Sequence, residues 1–423
     1  MLLWGTASDR TMTSRSLAPT SRAADGATSR AADRATSRAA AIDGARGLAA
    51  LSVLAFHAWL YTRVDVSAGA RETALDYAMH ELRLGLVLFF VLSGFLLWRP
   101  FAAAARGGRP RPGTREYLVR RGARVLPAYY LALVGSIVLL WGAAETPGVR
   151  LPDAELLPLF LVFGQNFNVG SVMKLDPPMW TLAVEVTFYL LLPLVAVLAL
   201  RLPRARVVQA LVPLGLLAFG VWWNHRIAGG GSIVAGKLLP AMLPYFALGM
   251  LTALALDGRR PLRRAAAYAL LAAGLLLVLG DALWQADGVA SRSTSYAYRI
   301  WRDLPAAAGF ALVVAVAAGS AGAGTALLRL RPLVAFGTIS YGVYLWHVPL
   351  LLVARHLGLL PLHTFPAFVL VLALTVPVAA ASWRWVERPA IDRARDVTRR
   401  WRGPADSAAR RGAGRGEPSA AQR

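Results

Sequence analysis

Apolar residues fill long stretches of this chain, separated by short connections that hold most of its charge. Continuous apolar runs fall near 44–62, 83–101, 124–143, 156–169, 180–200, 206–224, 237–256, 264–283, 304–327, 336–355 and 364–387. A helix of about 20 such residues crosses a hydrocarbon layer of about 30 Å, and Gly and Pro are tolerated inside it. The pattern predicts an all-α, polytopic membrane protein.

The charges decide how many of these runs cross. Arg-dense connections lie at 99–124, 201–206 (RLPRAR), 257–264 (DGRRPLRR) and 328–332 (LRLRP), and a basic segment follows Pro389. Such connections stay on the cytoplasmic side. The first two share that side only if an even number of crossings separates them, yet three runs lie between them. The run 156–169, LLPLFLVFGQNFNV, is short and broken by Pro158, Gly164, Gln165 and Asn166. It is expected to be a re-entrant or interfacial segment. About ten transmembrane helices remain, with both termini cytoplasmic.

Composition agrees. The chain is 57% hydrophobic and 16% charged, with mean hydropathy +0.49. A net charge of +23 would point to nucleic acid in a soluble protein. Here the arginines mark connections between spans, so no nucleic-acid partner is expected. Cysteine is absent, which removes disulfides, thiolate metal sites and a cysteine nucleophile. There is no HExxH, CxxC or P-loop pattern, and neither a metal nor an ATP motor is expected. Residues 1–41 contain the repeat TSRAADGA, TSRAADRA and are expected to be a disordered leader. Residues 390–423 are polar and basic, and are expected to be a disordered cytoplasmic tail around a domain spanning 42–389.

Within the first run, Arg46 and His57 stand eleven positions apart. At ~100° and ~1.5 Å per residue this is three turns plus ~20°, and ~16 Å of depth, so the two share one helical face. An arginine at the centre of a span costs roughly 2.5–3.5 kcal/mol and normally faces the bundle interior or a wet cavity. Snorkelling to the headgroups explains Arg46 alone, and a satisfied interior histidine explains His57 alone. Paired on one face, with Asp43 nearby, they favour an anion-binding arginine and a histidine general base lining a polar cleft.

The pattern DGARGLAALSVLAFH, an R-x10-H on the first span, resembles the signature of the acyltransferase 3 family of membrane O-acyltransferases. FFVLSGFLL (89–97), which holds Ser93, resembles the family's second-span motif. RRGARVLPAYY (120–130) is similar to its R-x-x-R motif, and WTLAVEVTFYLLLP (180–193) to its W-S-L-x-x-E-x-x-F-Y, with Thr181 for serine. FGTISYGVYLWHVPL (336–350) and WVERP (385–389) resemble its closing elements.

The resemblance implies transfer of an acyl group, commonly acetyl, from cytoplasmic acyl-CoA to a hydroxyl of a carbohydrate, glycolipid or small-molecule acceptor such as a macrolide. No bound cofactor is implied, and acyl-CoA is a co-substrate. The place is the cell membrane, as a multi-pass protein. On that reading Arg121 and Arg124, three apart on one face, would host the CoA phosphates. His57 would deprotonate the acceptor or carry the acyl group, with Arg46 orienting the donor or stabilising developing charge. Glu185 would bind acceptor hydroxyls or pair with an arginine, and Trp180 and Tyr189 would stack on a sugar. Tyr341 and His347 would support the site, His347 also being readable as a hydrogen-bonded core histidine. A membrane carrier of a lipid or lipid-linked sugar, without acyl chemistry, is the alternative that also explains a polar cleft.

Overall fold

The computed structural model describes residues 20–63, 74–107, 110–227, 231–286, 296–320, 322 and 324–401. Among them every regular element is helical. The membrane-crossing candidates are α1 (Thr20–Thr62), α3 (Gly85–Ala105), α4 (Thr114–Trp141), α6 (Trp180–Arg201), α7 (Arg206–Arg226), α8 (Leu239–Leu256), α9 (Arg264–Ala286) and α13 (Thr364–Ser382), with α2 (Ala74–Glu81) leading into α3. These give, among the described residues, eight helices long and apolar enough to cross a membrane. A ninth span forms if α11 (Arg331–Thr338) and α12 (Ser340–His356), which meet at 75°, count as one. In α10 (Tyr296–Gly319), the shorter apolar stretch Asp303–Gly319 falls on the remaining expected run.

The run 156–169 does not form a spanning helix. It holds α5 (Leu157–Leu161) and a 3-10 turn at Gln165–Phe167, broken at Phe163, whose φ of 58° is left-handed. Two corrections apply at the ends of the domain. The expected disordered leader is helical from Thr20, and Ser37 Oγ accepts a bond from Arg329 Nη1 at 2.9 Å. Alanine is the strongest helix former and arginine close behind it, so a helix anchored by packing extends back through this repeat. The expected disordered tail is also helical through α14 (Arg388–Arg400), which lies on α4: Arg120 Nε donates to Thr398 Oγ1 at 3.1 Å, and the Arg115 guanidinium sits 4.1 Å above Trp401. Residues 1–19 and 402–423, and with them the sidedness expected of both termini, lie outside the described residues.

Polar groups turn inward and bulky apolar ones outward. Val138, Leu194, Leu276 and Phe365 are exposed on their helices, whereas Asn166, Asp176, Gln209, His347 and Glu387 are buried. A lipid environment selects this arrangement, because the hydrocarbon accepts the outer face and offers polar groups nothing. Small residues set the closest helix contacts. A Cβ on Gly337 of α11 would collide with the Asp43 carbonyl oxygen of α1, and one on Gly94 of α3 with the Phe246 carbonyl of α8. The first of these contacts holds the turn of α1 that carries Arg46.

Candidate active site

A cleft of about 330 Å³ opens among α1, α3, α4, α6 and α12. Arg46, Arg121 and Arg124 contribute its cations, and Glu185 its carboxylate. Ser93, Tyr189 and Tyr341, each expected from sequence, line it as well. Seven of the eleven expected site residues therefore meet on one surface.

Their local contacts explain why. Arg121 and Arg124 share the face of α4 that looks onto α6, and the Arg121 guanidinium lies 6.0 Å over the Tyr189 ring. Neither arginine is tied up by a hydrogen bond or salt bridge among the described residues. Arg46 is half-buried beside Asp43, 3.8 Å away and more exposed, and it lines the cleft within electrostatic range of both Arg124 and Glu185. Ser93 Oγ donates to Glu185 Oε1 at 2.9 Å, so one oxygen of that carboxylate is fixed by α3. Tyr341 donates to the Val125 carbonyl at 3.0 Å, which ties α12 to α4.

The other expected residues sit elsewhere. Asp43 does not line the cleft but pairs with Arg46, which does. Trp180 is turned away from it: its ring packs on Phe90 and carries the Lys237 ammonium 3.8 Å above its face. His57 and His347 adjoin the cleft without lining it. They lie past Tyr344, a lining residue whose ring is 5.8 Å from that of His347. Arg46 and His57 share one face of α1, as the eleven-residue spacing requires, with Arg46 lining the cleft that α12 also lines and His57 meeting His347 of α12. Ser340, Tyr341, Tyr344 and His347 form an i, i+1, i+4, i+7 stripe along that helix.

The histidine pair has one consistent proton arrangement. His347 Nδ1 lies 3.0 Å from the Val343 carbonyl and His57 Nδ1 lies 2.9 Å from the Val53 carbonyl. A carbonyl only accepts, so both Nδ1 atoms carry hydrogen. His347 Nε2, 3.1 Å from His57 Nδ1, is then the acceptor of a shared N–H. The hydrogen-bond pattern thereby assigns His57 Nε2 a free lone pair. Tyr61 stacks on the His57 ring with centroids 6.4 Å apart.

Three participants escaped the sequence reading. Thr181, noted only as a departure from serine, donates to the Pro178 carbonyl at 3.0 Å and meets the Tyr344 hydroxyl at 2.7 Å. Ser340 begins the α12 stripe. Glu387 is buried on a π-helical segment, Trp383–Glu387, within electrostatic range of Arg124 and Arg46, and is bonded by Ser382 Oγ at 3.2 Å. The WVERP motif was its only signal.

Fold and site together define a multi-pass membrane protein whose interior cleft gathers cations at one end and adjoins a histidine pair at the other. The chain belongs to the acyltransferase 3 family, whose acyltransferase-domain model matches residues 39–384. It is an acyltransferase with several helices long and apolar enough to cross a membrane, and proteins named as O-acetyltransferases are among its relatives. It is 29% identical, over 83% of its length and 82% of the relative's, to BcsY of Komagataeibacter xylinus, named as a candidate membrane-bound transacylase. Identity is 27% to YrhL of Bacillus subtilis, named as a candidate peptidoglycan O-acetyltransferase, and 23% to the O-acetyltransferase OatA of Staphylococcus aureus. These two matches cover 82% of this chain but only 54% and 56% of the relatives. No solved structure matches the chain. Family membership favours acyl chemistry over a carrier that performs none.

Proposed function

We propose that this protein transfers an acyl group, acetyl in the simplest case, from acyl-CoA to a hydroxyl of a carbohydrate, glycolipid or small-molecule acceptor such as a macrolide. The transfer takes place in the cytoplasmic membrane, with the Arg-dense connections and both termini on the donor side. The observation that carries this reading is a single cleft with two uncommitted arginines at one end and a histidine with a free ring nitrogen beyond the other.

Arg121 and Arg124 present forked donors suited to the donor's phosphates, and Arg46 sits next along the wall. The acyl end then points along the α12 stripe toward Tyr344 and His57. His57 Nε2 takes the proton of the acceptor hydroxyl as its oxygen attacks the thioester carbonyl. The C–S bond breaks, and the proton passes to the departing thiolate. His347 holds His57 in the tautomer this step needs, and Arg46 stabilises negative charge developing at the carbonyl oxygen. Glu185, anchored by Ser93, keeps the arginine face ordered, and Thr181 supplies the hydroxyl that positions Tyr344.

Purified protein given acetyl-CoA and panels of glycan and macrolide acceptors is expected to release free CoA and yield an O-acetylated product. No acyl-CoA binding and no turnover with any acceptor would overturn the reading.

A further inference from the structure

A second basic site lies outside the cleft. Three separate connections meet there: the end of α3 with Arg106, the α6–α7 turn with Arg204 and Arg206, and the α8–α9 turn with Asp257 and Arg259. Arg106 Nε donates to Asp257 Oδ2 at 2.7 Å, and Arg206 Nη2 to the Asp257 main-chain oxygen at 2.5 Å. Arg206 feels Arg106 and Arg259 as neighbouring like charges. The Arg204 guanidinium packs on Gly107, whose φ of 77° bends the chain around it and where a Cβ would stand 3.1 Å from the Arg204 nitrogen.

This gathering needs an explanation beyond charge sidedness. Topological arginines serve their purpose splayed in water, since the rule concerns which side they occupy and not where they meet. Here Arg106 and Arg206 both hold Asp257, one at its carboxylate and one at its main chain, with Arg204 and Arg259 on the same connections, and Arg206 Nε is buried without an acceptor among the described residues. A buried charged donor left unpaired costs free energy, and like charges held together cost more. An anion with several oxygens removes both costs. A phosphate fits best, because forked guanidinium donors match its geometry.

We infer that Arg106, Arg204, Arg206 and Arg259 bind a phosphate group at the membrane surface, carried by an anionic phospholipid headgroup or by a soluble phosphorylated molecule. The site is distinct from the cleft. Arg106 stands nine residues beyond Leu97, the last cleft residue of α3, or about 14 Å along the helix. Bound there, a phosphate ties together the ends of α3, α6, α7 and α8, helices that form or back one wall of the cleft.

The test uses the full-length protein in phosphatidylcholine nanodiscs, with and without phosphatidylglycerol, and in neutral detergent with inorganic pyrophosphate. Retained phosphatidylglycerol is counted by native mass spectrometry and thermal stability is followed alongside. Stabilisation and retention with phosphatidylglycerol alone assign the lipid source, and stabilisation by pyrophosphate assigns the soluble one. Arg106→Gln or Arg206→Gln breaks contacts that also hold the fold. The decisive variant is therefore Arg204→Gln with Arg259→Gln, two exposed side chains with no ion pair among the described residues. It is expected to weaken retention about fivefold per arginine, the fold-change equivalent of the ~1 kcal/mol that a basic residue contributes near an anionic surface. Arg201→Gln with Arg263→Gln, which removes charge from the same connections but none of these contacts, is expected to change nothing. Equal weakening by both pairs, or no response to either phosphate source, would overturn the site.

Discussion

His347 Nε2 lies 3.1 Å from His57 Nδ1, and that one contact orders the protons of both rings. It converts two isolated polar residues on different spans into a unit with a single available lone pair. Removing His57 by His57→Ala is expected to lower kcat by about 10²–10⁴, the range for a positioned general base. His347→Ala is expected to cost about tenfold, near the value of one hydrogen bond. His347→Gln keeps an acceptor for the His57 N–H and is expected to recover most of that loss. Kinetics with acetyl-CoA on purified variants check this, and equal rates for His347→Ala and wild type would sink the positioning role. Incubation with labelled acetyl-CoA and no acceptor is expected to leave no label on the protein under the proposed base role of His57, whereas label on His57 would make it the acyl carrier.

Arg121 and Arg124 make no hydrogen bond or salt bridge among the described residues, so their removal is expected to act mainly on ligand binding. Arg121→Ala and Arg124→Ala are each expected to raise KM for acyl-CoA roughly 10- to 100-fold, in line with ~1.5–3 kcal/mol for a hydrogen bond to a charged group. Lysine at either position keeps the charge but not the fork and is expected to recover only part of the affinity. Titration calorimetry with a non-hydrolysable CoA thioether measures it directly. Unchanged affinity in both alanine variants would move the donor out of this cleft.

Asp176 precedes α6 in a loop where Met173 and Leu175 hold left-handed φ values of 63° and 60°. It is buried, and neither carboxyl oxygen has a hydrogen-bond partner among the described residues. Burial pushes its pKa well above the ordinary 3.8, so the folded protein keeps the proton that the unfolded chain releases. The stability this contributes is complete below about pH 3.8 and is lost as pH rises through the folded-state pKa. Asp176→Asn removes that dependence. The stability of the asparagine variant relative to wild type is expected to grow as pH rises above about 3.8, with a limiting slope of ~1.4 kcal/mol per unit until the folded-state pKa is passed. Thermal unfolding in detergent across that range gives the slope, and parallel curves would mean that Asp176 is ionised in the fold.

Much of this architecture was legible because it rests on periodicity. The eleven-residue spacing of Arg46 and His57 put both on one face of α1, and the Pro158 and Gly164 interruptions singled out the run that does not cross. What stayed hidden depends on contacts between distant segments. Glu387 reaches the arginines because a π-helical turn shifts the register after Ser382, and no hydrophobic pattern reports one inserted residue. Trp180 was expected on a ligand and instead packs under Lys237, a residue far along the chain whose approach only the folded loop determines. The repeat before Ala41 read as low complexity, yet its alanines and arginines are good helix formers once the first span is anchored. Thr181 shows the converse case: the substitution keeps the hydroxyl, and with it the bond to Tyr344.

The crossing of α1 and α11 offers a direct test of how the cleft is held. Gly337 lies against the Asp43 carbonyl with no room for a side chain, and Gly47 is nearly as tight against Leu333. Gly337→Val must push α11 away from the turn that carries Arg46, at a cost of about 1–3 kcal/mol for overpacking. Arg46 moves with that turn, so transfer activity is expected to fall together with stability. Gly142 is the matched control: it closes α4 at φ −69°, and a Cβ there meets nothing within 4 Å. Gly142→Ala is expected to leave activity unchanged and to stabilise by up to ~1 kcal/mol through the unfolded chain. Thermal unfolding and CoA release measured on both variants separate the two effects. A Gly337→Val protein with wild-type stability and turnover would show that the α1–α11 contact does not position Arg46.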